Sequence, residues 1–405
     1  MGHTQRFVLL GLVVFWGFST RAGQNTQELA IPVPTDGNTV AFVGDSITWQ
    51  DYYPEYIEAY FIRRHPEAKI RFVSLGVRGD TASGVVERLA RDLYPLDPNL
   101  VFVMLGMNDG GYRGYNPLLY RFYLAGMDEI VDLVKTNTKA DLVLLSPTCM
   151  DSVSYSQKRY NRMLLKMAEG LRDLASRRRV PFVDIQAPFA RALEKAKEFY
   201  PHVSLMKDNI HPGQAGHLVI AGVLLDRLDP TNSRQHMLVS FDVSVLSWKD
   251  HTACISFSHP NDNIYLPRRA LEALALVPNP GRFSSRRMII TGLKTMARVY
   301  IDGKLMGVFS PEDFVRGIQV DRLEKAPWVS DARLLYELLR EKWQLTYYLW
   351  DPLELGQDAW RQVSGTRAKL TKKNAYDRLV GILSRIGALR VVEERQYRVC
   401  IEKLP

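Results

Sequence analysis

Between residues 40 and 185 short unbroken apolar runs alternate with longer stretches of helical periodicity. Val40–Val43, Ile70–Ser74, Leu100–Leu105, Leu142–Ser146 and Pro181–Ile185 read as strands, and Tyr52–Arg64, Ser83–Leu93, Leu118–Lys135 and Ser156–Ser176 as helices between them. Regular β/α alternation predicts an α/β fold built on a doubly wound parallel sheet. Leu218–Leu228 predicts one more helix, entered through Pro212-Gly213. After Asp229-Pro230 the pattern changes to shorter strand-like runs: Met237–Val245, Thr252–Ser258, Arg287–Thr291 and Ala297–Ile301. Asp302-Gly303 reads as the turn of a hairpin that returns to Val308. Asp331–Tyr347 and Asn374–Ile386 read as helices. The expected organisation is an α/β domain over 36–230, a smaller β-rich module over 237–309, and a mixed, mainly helical region over 310–405 that packs back onto the first domain.

Composition adds bounds. A chain of 405 residues, 46% hydrophobic and 24% charged, is globular and long enough for more than one core. The apolar stretch Phe7–Phe18, preceded by Arg6 and followed by small and polar residues, predicts an export signal (residues 1–22) cleaved near Ala22. It falls short of the roughly 20 residues that span a bilayer, so no integral membrane segment is expected after cleavage; an uncleaved N-terminal anchor is the alternative. The expected location is secreted, periplasmic or cell envelope. Losing Arg6 and Arg21 takes the formal charge from +9 to +7, and residues 366–405 hold ten Lys or Arg against four Asp or Glu. A basic tail suits a polyanion, here an acidic glycan; the alternative is a solvated face such as Lys369 to Lys373. No nucleic-acid-binding motif is present. Of the three cysteines, Cys149 reads as a buried free thiol, while Cys254 and Cys400 lie in strand-like segments and can pair in an exported protein. With no Cys-x-x-Cys, His-Glu-x-x-His, EF-hand loop, phosphate loop or clear dinucleotide fingerprint, neither a metal nor a cofactor is expected.

Three segments then carry the chemistry, in this order: Gly44-Asp45-Ser46-Ile47-Thr48, Gly106-Met107-Asn108-Asp109 and Asp208-Asn209-Ile210-His211-Pro212. A serine hydroxyl needs a base to take its proton and a carboxylate to orient that base. Ser46, His211 and Asp208 are of those types, and a three-residue spacing lets Asp208 and His211 meet on one tight turn or helical turn. A tetrahedral intermediate needs donors already aimed at its oxyanion. The Asn108 amide and backbone N–H groups of Ser46 and a glycine can provide them. Both Ser46 and Asn108 follow apolar strands, which points to one crevice beyond the strand ends. Singly, Ser46 reads equally as a helix cap, Asn108-Asp109 as a turn and His211 as a loop residue. His202, His217 and Asp45 read as loop or cap residues without a role.

Over roughly Thr39 to Leu228 these segments resemble the blocks of the SGNH hydrolases, which include the GDSL esterases and lipases. The resemblance implies a three-layer, flavodoxin-like fold and cofactor-free ester hydrolysis. It makes Ser46 the nucleophile and, through its own N–H, an oxyanion donor. Within Leu75-Gly76-Val77-Arg78-Gly79-Asp80-Thr81 it makes Gly79 the second donor, Asn108 the third, and Asp208 and His211 the rest of the triad. Ser74 stands where many members have asparagine, a departure that touches loop support. Arg78, beside Gly79, is a candidate for contacting a polar substrate or is a solvated arginine. Family substrates range over acetylated polysaccharides, lipids, aryl esters and thioesters. The chain shows no lid-like apolar segment, and its aromatic and basic β module suits carbohydrate, so O-acetyl removal from carbohydrate is the expected activity. A broad-range carboxylesterase or lipase is the second reading, and a non-catalytic glycan-binding envelope protein the third.

Overall fold

In the computed structural model five strands, β1 (Thr39–Gly44), β2 (Arg71–Gly76), β3 (Leu100–Met104), β4 (Asp141–Leu145) and β5 (Phe182–Val183), form a parallel sheet in the order β2-β1-β3-β4-β5. Residues 29–230 except 152–153, and 237–404 except 243, 245, 261, 284–285, 351–370 and 392–393, are described. The expected signal segment 1–22 and Lys369 lie outside them. Helices connect the strands: α1 (Ser46–Trp49), α2 (Tyr52–Arg64), α3 (Ala82–Asp92), α4 (Pro117–Asn137), α5 (Tyr155–Arg178), α6 (Gln186–Phe199) and α7 (Gln214–Leu228). Parallel strands covered on both faces must be apolar throughout, and Val40, Phe42, Val101 and Val103 are all buried. Helix α6 had no counterpart in the expected elements. It buries Phe189, Ala192, Leu193 and Ala196, one stripe at helical spacing.

The second half begins with β6 (Met237–Asp242), β7 (Trp248–Lys249), β8 (Thr252–His259), the short helix α8 (Arg268–Glu272), β9 (Arg286–Thr291), β10 (Ala297–Ile301) and β11 (Lys304–Phe309). Then come α9 (Pro311–Arg316), β12 (Ile318–Gln319), α10 (Pro327–Trp350), α11 (Lys372–Leu389) and β13 (Arg395–Lys403). Asp302 and Gly303 take φ of 47° and 78°, the left-handed pair that a two-residue hairpin turn between β10 and β11 requires.

One expected boundary is corrected. The β-rich module does not close at 309, because the five-stranded sheet runs β11-β10-β13-β8-β7 and the last strand of the chain sits at its centre. Cys254 and Cys400 face each other across β8 and β13 and form a disulfide. Cys149 is buried and free, its thiol pushed up to about 12 by burial.

Region 310–405 is also divided between two cores. At the start of α10, Trp328 and Val329 belong to the core of the β-rich part. Further along, Leu335, Leu338, Leu339 and Trp343, with Ile382 and Ile386 of α11, join the core of the parallel sheet. Ion pairs fix this second docking: Arg340 meets Glu55 at 2.8 Å, and Lys342 meets Glu58 at 2.8 and 2.9 Å and the Phe72 carbonyl at 3.0 Å. Several cations of the basic tail have fold contacts. Arg378 pairs with Glu341, Arg390 donates to the Ala68 carbonyl at 2.7 Å, and Lys403 lies over the Trp248 ring at 3.7 Å. These contacts lend no support to an acidic-glycan surface on this region. No helix among the described residues is long and apolar enough to cross a membrane.

Candidate active site

The chain leaves β1 for β2 on one side of the sheet, and β3 pairs with β1 on the other. A crevice opens at such a switch point beyond the strand carboxyl ends. The loops after β2, β1 and β3 carry Gly79, Ser46 and Asn108 respectively, so three neighbouring strands deliver the three expected residues to one rim. Gly44 is required by close approach, since a Cβ there would stand 2.7 Å from the Met104 carbonyl oxygen. Asp45 caps α1, accepting from the Ile47 N–H at 2.9 Å. Its carboxyl is pushed up to about 7, chiefly by burial, with Asp109 and Asp80 adding repulsion.

Ser46 Oγ lies 2.9 Å from His211 Nε2, and His211 Nδ1 lies 2.9 Å from Asp208 Oδ2. The other carboxylate oxygen, Oδ1, accepts from the Ile210 and His211 N–H groups, each at 2.7 Å. Partial burial pushes Asp208 up, but the hydrogen bonds from His211 and Ile210 outweigh it and hold the carboxyl below its ordinary value. The carboxylate therefore stays charged beside the imidazole at neutral pH. The loop that carries both residues is pinched shut by Lys207 N–H donating to His211 O and Gly213 N–H donating to Leu205 O, each at 2.8 Å. The pair is thus presented by a tight loop and not by a helical turn.

In the loop after β3, Asn108 Nδ2 donates to the Asp80 carbonyl at 2.9 Å while Tyr112 donates to Asn108 Oδ1 at 2.7 Å. An acceptor-only carbonyl on one end and a hydroxyl on the other fix which way the amide faces. One amide N–H remains for a ligand. Ser46 N–H opens a helix, where the first N–H groups have no helical acceptor, and Gly79 takes the left-handed φ of 76°. Neither N–H has a hydrogen-bond acceptor among the described residues. Asp109 ties the same loops together by accepting from the Ala82 N–H at 2.8 Å, and burial raises its carboxyl to about 6.

Two residues of the site were not expected from sequence. Arg88 is buried beneath the loops and donates to Asp80 Oδ2 and the Leu75 carbonyl, both at 2.8 Å, and to Asp92 Oδ2 at 3.3 Å. Its signal was a charge on the apolar stripe Val85, Leu89 of α3. Tyr112 carried no signal. Of the remaining candidates, Arg78 is exposed with its guanidinium 4.7 Å from the Trp49 ring centre. His217 is buried, accepts from the Tyr53 N–H at 3.3 Å, and is pushed down to about 3 by burial, so it is neutral and structural.

A serine, an imidazole and a carboxylate in series, on the strand-end rim that also carries Gly79 and Asn108, are residue types that acyl transfer uses. The GDSL-like lipase/acylhydrolase family matches residues 42–219. That stretch is a domain of the SGNH hydrolase superfamily. It is therefore an ester-hydrolysing domain. An acetylxylan esterase of Geobacillus stearothermophilus is 27% identical over 215 residues, which cover 47% of this chain and 93% of that one. The solved structure of a gut microbial diltiazem-metabolizing enzyme superposes with a TM-score of 0.71 at 19% identity, over 93% of this chain and 99% of the other. That likeness is one of fold and extends through the second half.

Proposed function

We propose that this SGNH esterase removes O-acetyl groups from carbohydrate through an acyl-enzyme. Ser46 Oγ attacks the ester carbonyl while His211 Nε2 takes its proton, and Asp208 holds the imidazole and stabilises the imidazolium. The Ser46 and Gly79 N–H groups and the free Asn108 N–H receive the oxyanion. The tetrahedral intermediate collapses, His211 returns the proton to the departing sugar oxygen, and an acetyl ester remains on Ser46. Water then attacks that ester, giving up its proton to His211, and acetate leaves as Ser46 is reprotonated. No metal or cofactor enters these steps.

The observation that carries this reading is the continuous Ser46–His211–Asp208 hydrogen-bonded series, with both links at 2.9 Å. Preference for carbohydrate acetate draws on the acetylxylan esterase relative. Export belongs to the proposal too. It is supported by the Phe7–Phe18 run and by the Cys254–Cys400 disulfide, which persists in oxidising compartments. Hydrolysis of p-nitrophenyl acetate, butyrate and octanoate, beside acetate release from acetylated xylan, tests the substrate class. Acetate preference with release from xylan is expected, and rates that climb toward octanoate with no release from xylan support the broad-range carboxylesterase instead.

A further inference from the structure

The loop after β3 that carries Asn108 also places an aromatic ring beside it. Tyr112 takes a φ of 56°, directly after Gly111 at 64°. A bulky side chain in the left-handed region costs conformational energy, and it persists where surrounding contacts hold it there. Two contacts do so. The Tyr112 hydroxyl donates to Asn108 Oδ1 at 2.7 Å, and its ring centre lies 5.2 Å from that of Tyr160, with the planes tilted by 33°. Tyr160 is itself buried, and its hydroxyl donates to the Met107 carbonyl. The Tyr112 ring is thus fixed at its tip and backed by a second ring, yet the residue is 43% exposed.

Its hydroxyl also lies within electrostatic reach of the triad. Burial pushes that hydroxyl up first, and the charges of Asp45, which caps α1, and of Asp208, which orients His211, push it further. A strained, immobilised and half-exposed ring serves no packing need, since burial would be the more stabilising use of its apolar area. It has instead the form of a preorganised contact surface, which loses little freedom when a ligand settles on it. The chain around it is open to water, with Gly111, Arg113 and Tyr115 exposed as well. A flat face in that setting suits a ligand that is apolar on one side and hydrated at its edges. A sugar ring is built that way, with C–H groups on its faces and hydroxyls around its rim. A fatty acyl chain gains little from one open ring, because the rest of its surface stays in water.

We propose that the exposed face of Tyr112 is the platform on which the sugar ring carrying the acetyl group stacks. It rests on the carbohydrate-esterase reading above. The position follows from the chemistry of the ester. The sugar carbon is one oxygen away from the carbonyl carbon whose oxygen Asn108 receives, and Tyr112 is bonded to that same Asn108. Tyr112 therefore acts twice, through its hydroxyl on Asn108 and through its ring on the substrate.

The two roles separate in Tyr112→Phe and Tyr112→Leu. Both lose the hydroxyl, both meet the same left-handed backbone, and only the first keeps a flat ring. KM and kcat are measured for wild type and both variants on acetylated xylo-oligosaccharides and on ethyl acetate, whose leaving group has no ring face. Circular dichroism checks folding, and Tyr112→Met, likewise without a ring, replaces a leucine variant that fails to fold. On ethyl acetate the two variants should agree within about twofold. On the oligosaccharides the leucine variant should show a KM about 5- to 10-fold above that of the phenylalanine variant, with kcat alike. Equal KM values for the two variants on the oligosaccharides, or a folded leucine variant that falls below the phenylalanine one equally on both substrates, overturn the platform and leave the carbohydrate reading in place. Wild type that cleaves ethyl acetate but no acetylated oligosaccharide overturns the carbohydrate reading, and the platform with it.

Discussion

Replacing Asn108 isolates one donor of the proposed oxyanion hole, and the structure sets what each replacement should cost. With one N–H spent on the Asp80 carbonyl and Oδ1 held by Tyr112, a single N–H is left. Removing one such donor typically lowers kcat by about 10²–10³-fold, or roughly 2.7–4 kcal/mol of transition-state stabilisation. Asn108→Ala should therefore fall in that range with KM within about twofold of wild type, since the donor acts on charge that develops only in the transition state. Asn108→Asp has nearly the same shape but sets a carboxylate against both the Asp80 carbonyl and the developing oxyanion, so its kcat should fall below that of the alanine variant. Tyr112→Phe leaves the donor in place and removes only the bond that orients it. One neutral hydrogen bond is worth about 0.5–1.5 kcal/mol, so kcat should drop by about 2- to 10-fold. The assay is steady-state hydrolysis of p-nitrophenyl acetate, with denaturant unfolding of each variant alongside. An alanine variant that keeps its kcat while KM rises, or that loses only stability, refutes the assignment of Asn108 as an oxyanion donor.

Three other predictions concern the scaffold. Lys342→Met strands the buried Glu58 and should destabilise by about 3–5 kcal/mol in urea unfolding, with most of the loss recovered in the Lys342→Met, Glu58→Gln double variant; a double variant as weak as the single one contradicts the pairing. The buried Asp45 binds its proton more tightly folded than unfolded, so it favours the folded state below its unfolded value and that contribution is lost as pH rises through about 7. Asp45→Asn keeps the cap to Ile47 and cannot ionise, so its stability relative to wild type should rise by about 4 kcal/mol between pH 4 and pH 8; a pH-independent difference counts against the buried charge. Cys254→Ala should cost about 2–4 kcal/mol under oxidising conditions, a gap that closes when both proteins are reduced.

Much of this was legible in the chain because it is local. The strands β1 and β3 are continuous apolar runs, and each ends directly at its functional residue, so Val40–Val43 led to Ser46 and Leu100–Leu105 to Asn108. Asp208 and His211 are bound by a three-residue spacing. The parts that escaped depend on distance along the chain. Cys254 and Cys400 read as able to pair, but the place of β13 at the centre of the sheet beside β8, 146 residues away along the chain, did not show, because periodicity carries no information about register. The two-core character of α10 lies in which partners Trp328 and Trp343 meet, and their spacing alone cannot reveal it. Arg88 stands on the apolar stripe of α3, but spacing along a helix does not name its partners, Asp80 and the Leu75 carbonyl. Helix α6 follows the two-residue strand β5 closely, and the mixture of Ala with Arg, Glu and Lys blunts its apolar stripe.

Everything proposed for the chemistry turns on Ser46 as the nucleophile. Hydrolysis of p-nitrophenyl acetate by the wild-type protein beside Ser46→Ala measures this most directly. The account predicts turnover in the wild type and a loss of at least about 10³-fold in kcat/KM in the variant, with folding retained. Equal rates in the two proteins would contradict it.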